Sequence, residues 1–90
     1  MAEDPYANLR ATLEEQGGFP KPYLFKFIIP SDNKKLALVE ALFGSDAQVT
    51  TRQSKSNKFI SISAKEVMMN VAEVMAVYDR AGSIEGIMSL

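Results

Sequence analysis

The sequence predicts an α+β domain: a four-stranded antiparallel sheet with two helices on one face, preceded by a short N-terminal helix. Four observations lead there. Residues 59–63 alternate, with Ile60 and Ile62 on one side of a strand and Phe59, Ser61 and Ser63 on the other. The rhythm then becomes helical, because Val67, Val71, Val74 and Tyr78 fall on one stripe. Ser63 and Glu66 stand at the switch with the spacing of a capping box, which predicts a helix starting directly after the strand. Finally, residues 23–29 form an aromatic and β-branched run between prolines, a second strand signal.

Taken in order, Asp4-Pro5 predicts a helix start, with an Asp cap and proline in the first turn. Tyr6, Leu9 and Leu13 share a face of that helix, and Gly17-Gly18 ends it. It is short enough to be marginal alone. Residues 1–18 are therefore read as a loosely attached extension, and residues 19–90 as the domain. Phe19-Pro20-Lys21-Pro22 is an extended entry. The first strand, 23–29, is apolar on both faces, as a central strand is, and Pro30 closes it.

Ser31 or Asp32 caps a helix over residues 33–43, whose stripe is Leu36, Val39 and Phe43. Gly44 is its expected stop. Residues 46–54 form a polar strand suited to an edge, with Val49 its one strong apolar residue. Lys55-Ser56-Asn57 is turn chemistry, so this strand and the next make a hairpin. Ala81-Gly82-Ser83 closes the second long helix, and residues 84–90 read as a last strand. The order is the split βαβ arrangement, a ferredoxin-like βαββαβ sandwich. Right-handed crossovers place both long helices on one face and the first and third strands in the centre. The second face is left for solvent, a partner or the N-terminal helix.

Composition narrows the function. Ninety residues, 47% of them apolar, make one small core. The chain has no cysteine and no histidine, which removes disulfides, thiolate sites and the commonest general base and metal ligand. The acidic start, Met1-Ala2-Glu3-Asp4-Pro5, is no signal peptide, and no apolar run approaches a membrane span. A cytoplasmic protein without membrane contact is expected. The formal net charge of −1 is uneven: acids dominate residues 1–20 and 66–90, and bases dominate the middle.

Several stretches, taken in order, resemble a known family. They are Phe19-Pro20 ahead of Phe25-Lys26, the run Ser54-Lys55-Ser56-Asn57-Lys58-Phe59-Ile60-Ser61-Ile62-Ser63, Val74 through Tyr78, and the closing residues 84–90. They resemble a YbeD-like family of small bacterial proteins of unknown function. Phe59 stands where that family has tyrosine, Ser63 where it has threonine, and Ser56 or Asn57 where it has a hairpin glycine. The resemblance covers about residues 19–90. The family is similar in fold to ACT domains, which bind amino acids and regulate enzymes. The resemblance thus implies a regulatory protein by fold analogy, and it carries no catalytic residues.

The residues themselves offer few chemical groups. No Ser-His-Asp set and no phosphate-cradling glycine loop exists, and the carboxylates are scattered, so neither an enzyme, a cofactor nor a metal is expected. Leu24, Ile28 and Phe59 around Lys26 form a candidate partner surface on the open sheet face. The alternative is that Tyr6, Leu9 and Leu13 fold over it. Arg52, Lys55 and Lys58 in the hairpin suit an anionic ligand or acidic partner, or simply solvent. Ser31, Asp32 and Asn33 are the candidate ligand loop by analogy with ACT domains, and helix capping is their plainer role. Met68, Met69 and Met75 read as core fillers. The βαββαβ order also belongs to an RNA-recognition module, and Lys58-Phe59 matches its basic–aromatic entry. That module needs further aromatics where Ser61 and Ser63 stand, which disfavours nucleic acid. The expected state is a monomer or a weak homodimer.

Overall fold

The computed structural model describes residues 6–90. The elements are α1 (Ala7–Gln16), β1 (Lys21–Pro30), α2 (Asn33–Glu40), β2 (Gln48–Gln53), β3 (Phe59–Met68), α3 (Val71–Ala81) and β4 (Met88–Ser89). The four strands form one antiparallel sheet in the order β2-β3-β1-β4. The two most apolar strands are central and the polar strand is an edge, as the residue patterns imply.

β1 is longer than the proline-bounded run, because both prolines lie inside it. The ladder explains their tolerance. The N–H of Leu90 donates to the C=O of Lys26 at 2.9 Å, on the side where Ile28 pairs with Met88. Even-numbered residues of β1 therefore turn their backbone groups toward β4, and odd-numbered ones turn toward β3. Pro22 and Pro30 lack N–H groups only on the β4 side, so the β1–β3 ladder loses nothing.

The largest correction concerns β3. The strand does not give way to helix at Ser63; it continues to Met68. Ser63 pairs with Lys26 and with Thr50, so it sits mid-sheet and caps nothing. The helix starts at Val71, capped by Asn70. Asn70 Oδ1 accepts from the N–H of Glu73 at 2.9 Å, and Glu73 Oε1 accepts from the N–H of Met69 at 2.8 Å. Val67 leaves the helical stripe and is an exposed strand residue, whereas Val74 and Tyr78 are buried as expected. Glu66 instead holds the loop after α2, accepting from the N–H of Gly44 at 3.0 Å.

Other boundaries move less. α2 stops at Glu40, and turns carry the chain through Phe43, ahead of the expected Gly44 stop. The final strand shrinks to β4, because Ile84 is drawn into the core and Gly86 turns the chain at φ +83. A Cβ at Gly86 would lie 3.0 Å from Pro30 Cγ, so glycine is required there on two counts. Asn57 takes φ +58 in the hairpin turn, a conformation asparagine tolerates better than most residues.

One core holds the molecule together. The inward residues Phe25, Phe27 and Ile29 of β1 and Ile60, Ile62, Ala64 and Met68 of β3 form its sheet side. Val39 of α2, five residues of α3 and Leu13 of α1 join the same cluster. Tyr78 is its aromatic hub, with ring centroids 5.4 Å from Phe25 and 5.9 Å from Phe27. Met68 and Met75 are buried fillers as expected, while Met69 is exposed.

α1 has ten residues, more than the eight of α2, so it is not the minor element its sequence implies. It does not cover the open sheet face. Its Tyr6 ring lies 5.3 Å from Tyr78 of α3, the Tyr6 hydroxyl donates to the Tyr78 C=O at 3.5 Å, and Leu13 is buried. The helix thus docks in the helix layer. The expected Asp4-Pro5 start lies outside the described residues; within them α1 begins after Tyr6, without a side-chain cap.

Candidate binding face

Alternation along the strands decides which side chains meet on the outer face. Leu24, Lys26 and Ile28 of β1 point away from the core, as do Phe59, Ser61, Ser63, Lys65 and Val67 of β3. Register aligns them in cross-strand rows. Gln48, Lys65 and Leu24 form one row; Thr50, Ser63 and Lys26 form the next. Arg52, Ser61, Ile28 and Met88 form a third, with Phe59 opposite Pro30 beyond it. Val67 lies opposite Pro22 at the other end.

Of the seven large apolar side chains that are exposed among the described residues, Leu24, Phe59, Val67 and Met88 lie on these rows. Leu90 follows Met88 beside Lys26, while Leu38 and Met69 lie on α2 and in the turn after β3. The charged residues among the rows are Lys26, Arg52 and Lys65, and no carboxylate occupies an outward strand position among the described residues. The face is therefore divided. Leu24, Ile28, Met88 and Leu90 make an apolar strip along β1 and β4. Lys65, Arg52 and the hydroxyls of Ser61, Ser63 and Thr50 make a basic, polar strip along β3 and β2. Lys26 interrupts the apolar strip, between Leu24 and Ile28 on β1.

The candidate surface residues Leu24, Lys26, Ile28, Phe59 and Arg52 thus share one face. Lys55 and Lys58 belong to the hairpin end instead. That end also holds the loop of Ser31, Asp32 and Asn33. The Ser31 N–H donates to the Lys58 C=O at 2.9 Å, and Gln53 Nε2 donates to Ser31 Oγ at 3.0 Å. Asp32 is the helix cap, its Oδ1 accepting from the N–H groups of Lys34 at 2.8 Å and Lys35 at 3.2 Å. Asn33 opens α2, and all three residues are exposed.

Lys65, Val67, Met88 and Leu90 were not foreseen on this face. The signal for the first two is the Asn70-x-x-Glu73 spacing, a competing cap that lets the alternation run on past Ser63. The aromatics turned the opposite way from what an RNA-recognition sheet needs. Tyr23, Phe25 and Phe27 all point into the helix layer, leaving Phe59 the one outward aromatic among the described residues. Tyr23 and Tyr78 share a hydroxyl–hydroxyl bond of 3.0 Å. Burial, then that bond and the Tyr23 charge, hold the Tyr78 phenol above its usual ionisation range, so it stays protonated. This cluster ties the core and opens onto no carboxylate group suited to a metal; no cluster of three or more ligating side chains occurs among the described residues.

Fold and face together define a class: an α+β domain that buries one side of its sheet under helices and presents a basic and apolar strip on the other. No protein-family model, curated protein or solved structure matches the chain. No helix among the described residues is long and apolar enough to cross a membrane.

Proposed function

We propose that this chain is a small non-enzymatic binding protein, regulatory in role, that engages a protein partner through the open face of a ferredoxin-like sheet. One observation carries the reading: among the described residues, most of the exposed large apolar side chains gather on one sheet face that no described element covers. The strand order β2-β3-β1-β4 and the shared core of α2 and α3 support the ferredoxin-like description. Membership of the YbeD-like family, and with it a bacterial, cytoplasmic setting, rests on the resemblance of residues 19–90 alone.

The test is cross-linking in the native cell with three baits: the wild type, Leu24→Ser with Ile28→Ser, and Leu38→Ser. Leu38 is comparably exposed but lies on α2. Products seen with the wild type and with Leu38→Ser, and absent with the paired open-face variant, support the reading. Loss with Leu38→Ser and retention with the pair refute it.

A second reading, an ACT-like small-ligand site, draws on the bonds that tie Ser31 to Lys58 and Gln53, which bring Ser31, Asp32 and Asn33 together with Lys58 at one end of the sheet. A thermal-shift screen with amino acids decides it; an unchanged Tm at millimolar ligand removes it.

A further inference from the structure

The outer face has a shape and charge that select among occupants. Leu24 and Ile28 are four residues apart on β1, about 13 Å along the strand. Met88 of β4 lies beside Ile28, and Leu90, one residue past the strand, lies beside Lys26, one strand spacing of about 4.8 Å away. A helix with its side chains is roughly 10 Å across and rises about 1.5 Å per residue. One helix therefore covers the β1–β4 strip, and anchors about eight residues apart along it reach both Leu24 and Ile28. Its flank toward β3 and β2 would then run past Lys65 and Arg52, with Lys26 in line between the two anchors on β1. No outward carboxylate on the strands offsets those charges.

Other occupants fit less well. A second copy using the same face in two-fold symmetry brings cations against cations. Single-stranded RNA needs several outward aromatics, and the described sheet offers Phe59 alone.

We propose that the open face receives an amphipathic helix of a partner protein, its apolar stripe on Leu24, Ile28, Met88 and Leu90, its acidic flank against Lys65 and Arg52, and an acidic side chain within the stripe over Lys26. The inference rests on the open-face reading above and adds the helical form and the acidic chemistry. Salt bridges at the rim set partner choice and salt dependence, and the apolar stripe supplies the contact area.

The experiment uses isotope-labelled chain and four synthetic probes. Two are helices of about 18 residues, long enough for five turns, with the same leucine stripe and either Glu or Lys flanks. The third is an extended peptide alternating Glu and Val, and the fourth is a single-stranded RNA oligonucleotide. The Glu-flanked helix is expected to bind at least about 10-fold more tightly than the Lys-flanked one and to weaken as salt rises. Amide shifts should centre on Leu24, Lys26, Ile28 and Met88. Replacing Lys26, Arg52 and Lys65 together by Glu should reverse the preference. Should that triple variant not fold, Lys26→Glu alone should narrow it. Equal binding of both helices overturns the acidic flank. Stronger open-face binding by the extended peptide or RNA overturns the helix while leaving the open-face reading intact. No open-face shift with any probe overturns both.

Discussion

The two faces of this sheet are built from the same strands and have opposite chemistry. Inward, Phe25, Phe27 and Ile29 have no exposed surface at all. Outward, the residues between them alternate apolar and cationic side chains, and Leu24 is 50% exposed. The inward side is close-packed under three helices, so a lost methylene leaves a void. The outward side has no such packing to lose. Stability should therefore be concentrated on one face, and recognition on the other.

The largest effect tests that division directly. Phe27→Ala should cost about 3–5 kcal/mol in denaturant unfolding, because a fully enclosed ring leaves a cavity. Its neighbour Ile28→Ala, on the other side of the same strand, should cost well under half as much. Equal losses would erase the distinction between the faces.

A smaller effect sharpens the boundary between strand and helix. Asn70→Ala removes the cap of α3 and should cost about 1 kcal/mol. Ser63→Ala, on the outward face, should stay within roughly 0.5 kcal/mol. A reversal of that order would place the cap at Ser63 after all.

The inward tyrosines give a pH signature. The Tyr78 phenol is held above the ordinary value of 10.0, chiefly by burial and then by its bond to Tyr23. Below that value both folded and unfolded chains keep the proton, and the contribution to stability is fully present. Above it the unfolded chain loses protons that the fold retains, so stability falls as pH rises. Tyr78→Phe should flatten the alkaline limb of the unfolding curve relative to wild type. An unchanged limb would remove Tyr78 as its source. The smallest effect is expected at Leu24→Ser, within about 0.5 kcal/mol, because the side chain is half in solvent already.

Much of the inward face was legible in the sequence, and the outward face only partly. The aromatic run of β1, the polar edge β2, the hairpin at Asn57 and the buried stripe of Val74 and Tyr78 follow from period and turn chemistry. The misplaced cap had a physical origin. Ser63 and Glu66 match a capping box locally, but Ser63 is taken by pairing with Lys26 and Thr50, a tertiary fact invisible in a local window. The local capping match by itself assigns Lys65 and Val67 to a helix, whereas the pairing keeps them in β3 on the open face. The seating of α1 was likewise unreadable, since Tyr6, Leu9 and Leu13 show that it has an apolar face and not which surface receives it. Met88 joined the face only through pairing with Ile28, long-range in sequence.

Two methionines supply the most direct test of the open face. Met88 lies on it and Met69 lies off it, and they are 54% and 56% exposed. Their oxidation rates, read by mass spectrometry, should be nearly equal in the purified chain. In the native cell a partner seated on the sheet should protect Met88 several-fold while Met69 stays reactive. Equal reactivity of the two in the cell would show that nothing covers that face, and the account of it as a binding surface would be wrong.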